Sequence, residues 1–174
     1  TFSTIHSLCF DIVKKYGKKT VDIISEIEIY NYFNYRVRYI DQINDKDEFV
    51  ADLILDISVM KNNMFSLSDY QPKCTEDKEL FASLYTGYEK YKDAGSKIDF
   101  DDMLVMAKEV LDTNPEILLY LRSCYSYIQV DEYQDTNYIQ RDIVYSLAGE
   151  NGNLAVVGDD DQSIYMFRGA KPEI

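Results

Sequence analysis

The chain has 174 residues, 46% of them hydrophobic, and a formal net charge of −13 at pH 7. That apolar content excludes a disordered chain, no apolar run reaches the length needed to span a bilayer, and the acidic balance excludes a generic basic nucleic-acid coat. The length suits one ordinary core, or one domain with a small insert.

Cys9, Cys74 and Cys124 stand far apart with no CxxC pair, and His6 is the single histidine. This argues against a zinc or iron–sulfur site and for thiols in a reducing, intracellular compartment. No secretory signal opens the chain, and no membrane partner is expected. The start at Thr1, without a methionine, is read as a piece cut from a larger protein.

Ile5 to Tyr16 is predicted to be a helix, because Ile5, Leu8, Cys9, Ile12 and Val13 recur at spacings of three and four. Thr4 is its expected N-cap and Gly17 its stop. Gly17-Lys18-Lys19-Thr20 is not a P-loop, since the position that needs a glycine is Ile12. Val21 to Ile24 reads as a short extended piece. A helix from Glu26 is expected to bury Ile27, Tyr30, Phe33, Val37 and Ile40. The next, after Asp45, presents Phe49, Leu53, Asp56, Ile57 and Met60. Ser66 to Cys74, with Pro72, reads as a loop. A further helix opens at Thr75 to Lys78, shows Leu80, Phe81, Leu84, Tyr88 and Tyr91, and closes near Gly95. Residues 17–97 thus read as a nearly all-helical unit. Its tyrosines suit core and rim packing better than stacking on bases.

Asp99 is an expected helix cap, with Asp101 and Asp102 at the positive end of the dipole. Pro115 begins another helix, reaching about Arg122. A strand-like run then ends at Asp131, a helix covers Asn137 to Ala148, and Leu154 to Val157 is a second strand-like run. Strand, helix and strand in so short a span predict a βαβ unit of a parallel sheet.

Both strand-like runs end abruptly in carboxylates and amides, where open α/β sheets place their chemistry. Asp131 and Glu132 follow the first; Asp159, Asp160, Asp161 and Gln162 follow the second. Residues 126–174 carry a net charge of −6, the largest share of the −13 among the segments. Adjacent carboxylates can divide two tasks of phosphoryl transfer: holding magnesium, and taking the proton of an attacking water. Solvated loop acids are the plain alternative. Gln162 can donate to a terminal phosphate oxygen while accepting from water. Tyr165, Phe167 and Arg168 can stack on bases and hold a phosphate, or pack the loop onto the body.

Asp131-Glu132-Tyr133-Gln134-Asp135-Thr136-Asn137 resembles motif II of the UvrD/Rep/PcrA-type superfamily 1 DNA helicases. The run from Val157 to Ala170 resembles their motif III. Thr4-Ile5-His6-Ser7 is similar to the family's Thr-Phe-His-Ser element, and Ile98 to Met103 to a further segment. The four occur in the family's order and span the chain. The resemblance implies an α/β, predominantly helical fold: a partial RecA-like P-loop NTPase domain with parallel strands, residues 1–16 and 98–174, and an inserted all-helical subdomain, residues 17–97.

It also implies an ATP-driven motor that moves on single-stranded DNA, typically 3′ to 5′, and separates duplexes. Asp131 would coordinate Mg2+ with ATP, Glu132 would be the catalytic base, and Gln162 would contact the γ-phosphate. Arg168 would couple the nucleotide and DNA sites, and Thr4, His6, Tyr165 and Phe167 would face DNA. Met166-Phe167 stands where many relatives have Arg-Trp, so the grip on DNA is expected to be weaker or differently built. No P-loop lies within the 174 residues, so this segment alone is expected to be inactive, monomeric and part of a bacterial cytoplasmic protein. A metal-dependent nuclease or phosphatase and an acidic protein-interaction module are the alternatives.

Overall fold

The structure is a computed structural model that describes residues 2–17, 20–150 and 152–159. Helices dominate, and the strands form two short parallel pairs among the described residues. In chain order they are α1 (Ile5–Tyr16), β1 (Asp22–Ile23), α2 (Glu26–Val37), α3 (Lys46–Asn62), α4 (Lys78–Ala94), β2 (Lys97–Ile98), α5 (Phe100–Thr113), α6 (Pro115–Cys124), β3 (Ile128–Val130), α7 (Tyr138–Ala148) and β4 (Leu154–Val156). This is a mostly helical α/β arrangement, as the periodicities predict. No helix among the described residues is long and apolar enough to cross a membrane.

Most helix starts are set by side chains that satisfy otherwise orphaned backbone N–H groups. The Thr4, Ser25, Asp45 and Asp77 side chains each accept from the first turn of the helix they open. Asp99 and Asn137 go further and form reciprocal capping boxes with Asp102 and Gln140. Asn137 is therefore the cap of α7 and not its first residue, a correction of one position that follows from its extended backbone.

Two hydrophobic cores result. In the first, Cys9, Ile12 and Val13 of α1 meet Leu104, Ala107 and Leu111 of α5, with Leu121 of α6 and Ile139, Ile143 and Leu147 of α7. In the second, Phe33 and Val37 of α2 meet Val50, Leu53, Ile57 and Met60 of α3, and Phe81, Leu84 and Tyr88 of α4. β1 pairs with β2 in parallel, Asp22 opposite Lys97 and Ile23 opposite Ile98, so the chain leaves for the second core and returns from it side by side.

The face predicted for α2 is partly wrong. Phe33 and Val37 are buried, but Ile27 is 75% exposed. Each three-residue step turns 300°, so two such steps from Ile27 to Phe33 drift about 120° around a 3.6-residue helix. Ile29, four residues before Phe33, packs against the core instead.

Buried charge joins the two cores. Lys61 of α3 and Lys92 of α4 point at Asp99 and Asp102 around the start of α5: Lys61 Nζ lies 3.0 Å from Asp99 Oδ2 and 2.6 Å from Asp102 Oδ1, and Lys92 Nζ lies 2.8 Å from Asp99 Oδ2 and also contacts Asp102 Oδ2. Glu89 Oε1 sits 3.0 Å from Lys61 Nζ and 2.9 Å from Lys92 Nζ. Buried Asp56 plays a comparable part inside the second core. It accepts from the Tyr70 hydroxyl and from the Lys73 and Cys74 N–H groups, and so pins the 66–74 loop to α3.

The thiols differ sharply in environment. Cys9 is fully buried and Cys124 exposed. Burial pushes the Cys9 thiol up to about 12, and burial together with the Asp56 carboxylate pushes the half-buried Cys74 thiol up as well. Since the thiolate is the reactive form, one fast thiol, at Cys124, is expected when the folded protein meets a thiol reagent at neutral pH. Fast modification of Cys9 in a peptide map would contradict this packing.

Candidate nucleotide site at the ends of the parallel strands

β3 and β4 pair in parallel, with Ile128 opposite Leu154, Gln129 opposite Ala155 and Val130 opposite Val156. α7 is the crossover between them, so the predicted βαβ unit is present. The pairing continues past the strands: the Val157 N–H donates to Val130 O at 2.8 Å, and the Tyr133 N–H donates back to Val157 O at 2.9 Å. The carboxyl ends of both strands therefore lie side by side.

Val130 is buried, and the chain becomes exposed at Asp131 and Glu132. Asp131 Oδ1 accepts the Glu132 N–H at 3.0 Å. Glu132 adopts the left-handed conformation, φ 52° and ψ 43°. That region is costly for a residue with a β-carbon, and such strain persists only where surrounding contacts impose it. It breaks the strand direction at Asp131, so the two adjacent carboxylates point differently. A one-turn 3-10 helix, Tyr133–Asp135, follows. Gln134, 3% exposed, donates from Nε2 to Glu132 Oε2 at 2.6 Å. Its Oε1 accepts the Asp159 N–H at 2.9 Å.

Asp131 offers an exposed, hard oxygen ligand at a strand end. One carboxylate completed by water is a common arrangement for magnesium, which dehydrates reluctantly, so the residues present fit that ion. Elsewhere Glu89, Asp99 and Asp102 bring oxygens within 4.8 Å of one another. That cluster holds the ammonium groups of Lys61 and Lys92, so its cations are already supplied by the protein.

Thr4 and His6 lie at the start of α1. The Thr4 hydroxyl donates to Ser7 Oγ at 2.9 Å and accepts the Ser7 N–H at 3.1 Å, so it is engaged in the cap. His6 lines a cleft between the two cores, with Asn62, Phe100, Asp101, Asp135 and Asn137 among its neighbours. Its ring meets Phe100 edge-on at 6.0 Å. Burial lowers the His6 pKa, against the opposing pull of the Asp101 carboxylate. Burial raises the Asp101 carboxyl, helped by Asp99. Asn62 Oδ1 and Asp135 Oδ1 are buried there without a hydrogen-bond partner.

The cleft thus runs from His6 to the turn just past Glu132. Gln162, Tyr165, Phe167 and Arg168 lie outside the described residues. Gln134 was visible in the sequence as part of a motif, but nothing in the residue order marks it as the bridge between the strand ends.

A family profile described as UvrD/REP helicase N-terminal domain matches residues 1–174. The chain is 33% identical to the "ATP-dependent DNA helicase PcrA" of Staphylococcus aureus (strain Mu50 / ATCC 700699), with 97% of this chain and 24% of that protein covered. It is 35% identical to the protein of the same name from Leuconostoc citreum, covering 97% and 23%. It is 34% identical to the "ATP-dependent DNA helicase Rep" of Buchnera aphidicola subsp. Acyrthosiphon pisum (strain APS), covering 98% and 27%. The chain spans about a quarter of the length of these relatives. With its whole length matched, and with carboxylate-tipped parallel strands where the motifs predict them, the chain belongs to the UvrD/REP helicase N-terminal domain family.

Proposed function

We propose that the protein carrying this segment is an ATP-dependent DNA helicase that translocates on single-stranded DNA, 3′ to 5′, and separates duplexes. The observation that carries this reading is the placement of Asp131 and Glu132 at the carboxyl end of β3, beside the end of β4. The names of the bacterial relatives support it, as they support a cytoplasmic setting. In this reading residues 1–16 and 98–174 belong to a RecA-like domain and residues 17–97 to a helical subdomain inserted in it. The separate second core, with its paired connecting strands, supports that division.

Asp131 holds Mg2+ together with ATP. Bound magnesium supplies charge neutralisation at the phosphate oxygens. Glu132 takes the proton of the attacking water, aimed by its left-handed backbone and its bond from Gln134. Gln162 contacts the γ-phosphate and Arg168 couples that site to DNA. Tyr165 and Phe167 face the strand, as do Thr4 and His6 from the start of α1, where His6 lines the cleft.

The test is ATP turnover and strand separation by the whole protein, with and without single-stranded DNA. DNA-stimulated turnover is expected, and none from the 174-residue segment, which holds no P-loop. Metal-dependent DNA cleavage without ATP would replace the motor reading with a nuclease. Turnover by the segment itself would show that the phosphate is cradled by other residues.

A further inference from the structure

We infer that Gln134 is a positioning residue, whose side-chain amide aims the Glu132 carboxylate and ties it to the backbone at the end of β4. The inference rests on the reading of Glu132 as the base. Its geometry is fully determined by what each neighbour can do. The Asp159 N–H can only donate, so the atom facing it at 2.9 Å is Oε1. An ionised carboxylate can only accept, so the amide nitrogen faces Glu132 Oε2 at 2.6 Å. Both ends demand the same orientation, and a flipped amide would lose both bonds.

Although Glu132 is exposed, the Gln134 residue whose amide holds it is only 3% exposed. It engages one carboxylate oxygen of Glu132 and leaves the other to accept a proton. Gly158 makes the approach possible. A Cβ there would fall 2.6 Å from Gln134 Oε1 and 3.1 Å from the Gln134 backbone nitrogen. The amide would have to move aside and the backbone nitrogen to give by a few tenths of an ångström, shifts that a residue without a side chain spares. The Tyr133 N–H to Val157 O bond holds the turn in register beneath the amide. Glu132 and the beginning of the loop after β4 are therefore one mechanical unit. In the reading above, Gln162 contacts the γ-phosphate and follows Asp159 by three positions in sequence, so the amide ties the base to the segment that leads to that contact.

The test uses the whole protein with magnesium, saturating oligothymidine and varied ATP, beside the affinity for a fluorescent non-hydrolysable ATP analogue. Gln134→Met removes both bonds at similar volume. Gln134→Glu keeps the length but sets an acceptor against the Glu132 carboxylate. Gly158→Ala displaces the amide while leaving Gln134 intact. Each is expected to lower kcat by roughly 10–100-fold, the usual cost of losing a group that orients a site residue. KM for ATP and the analogue Kd are expected to stay within about 3-fold. A merely structural role would instead lower the melting temperature and weaken nucleotide binding together.

Should Gln134→Met fail to fold, the other two variants decide. Folded Gln134→Glu and Gly158→Ala proteins that turn over at the wild-type kcat would overturn the inference. Glu132→Gln, measured alongside, separates the two levels. If it stays active, the base reading fails and the inference with it. If it is inactive while the Gln134 variants are unimpaired, only the inference fails.

Discussion

Glu132→Gln in the whole protein is expected to cut ATP turnover by about 10²–10⁴-fold, the range that a positioned general base contributes. The substitution is close to isosteric and changes little else. A glutamine carbonyl at this position can still accept from Gln134 Nε2, which now reaches Glu132 Oε2 at 2.6 Å. The backbone at φ 52° and ψ 43° is unaltered by the exchange. What disappears is the ability to take a proton, so the loss should fall on kcat, with KM for ATP nearly unchanged. Glu132→Gly provides the complementary measurement. The left-handed conformation costs a residue with a β-carbon about 1–3 kcal/mol, and glycine escapes that cost. The glycine variant should be equally inactive with little change in stability to urea, since relief of the backbone is set against loss of the bond from Gln134. Turnover by Glu132→Gln within tenfold of wild type would remove Glu132 from the role of base.

Lys92→Met is expected to destabilise the protein by about 3–5 kcal/mol in urea unfolding, the usual result of removing one partner from a buried ion pair. Lys92 is 2% exposed and faces Asp99, Asp102 and Glu89, with its ammonium 4.4 Å from the Tyr88 ring centroid. Without it, three carboxylates share the single ammonium of Lys61. By contrast, Lys108 pairs with Asp112 one helical turn away, where Asp112 is 52% exposed. Breaking that pair should cost about 0.5 kcal/mol or less. A loss near 0.5 kcal/mol for Lys92→Met would mean that the buried network does not hold the two cores together.

The same network sets a pH dependence. Burial alone would push the Asp99 carboxyl up, but the Lys61 and Lys92 ammoniums outweigh it and hold the group well below the ordinary 3.8. A depressed folded value stabilises the protein above the ordinary value and is lost as pH falls toward the folded one. Stability should therefore decline below about pH 4. Burial alone would pull the Lys61 ammonium down, but the Asp99, Asp102 and Glu89 carboxylates together outweigh it and hold it well above its ordinary 10.5, so its contribution persists up to that pH and is lost above it. In Lys92→Met the acid decline should be shallower, because with one of its two ammoniums gone the folded value of Asp99 lies nearer the ordinary one.

Much of the architecture was legible in the residue order because its causes are local. Thr4 and Asp99 sit within a turn of the N–H groups they satisfy, so their capping follows from sequence spacing. The strand ends at Asp131 and Asp159 were visible as abrupt changes from apolar to acidic residues. The face of α2 was misjudged because spacings of three were counted without the drift they accumulate. Lys61 and Lys92 carry no local mark of their burial, since nothing near them in sequence foretells carboxylates 38 and 41 residues from Lys61.

The sequence by itself determined the family, the caps and the two carboxylate-tipped strands, all of which depend on residues a few positions apart. The tertiary structure alone decided that Gln134 spans the strand ends and that two lysines bridge the two cores. Those contacts join residues 25 or more apart, or turn on which way a helix face points. They exist only once parallel pairing brings Asp159 beside Gln134, and once packing places α3 and α4 against the start of α5.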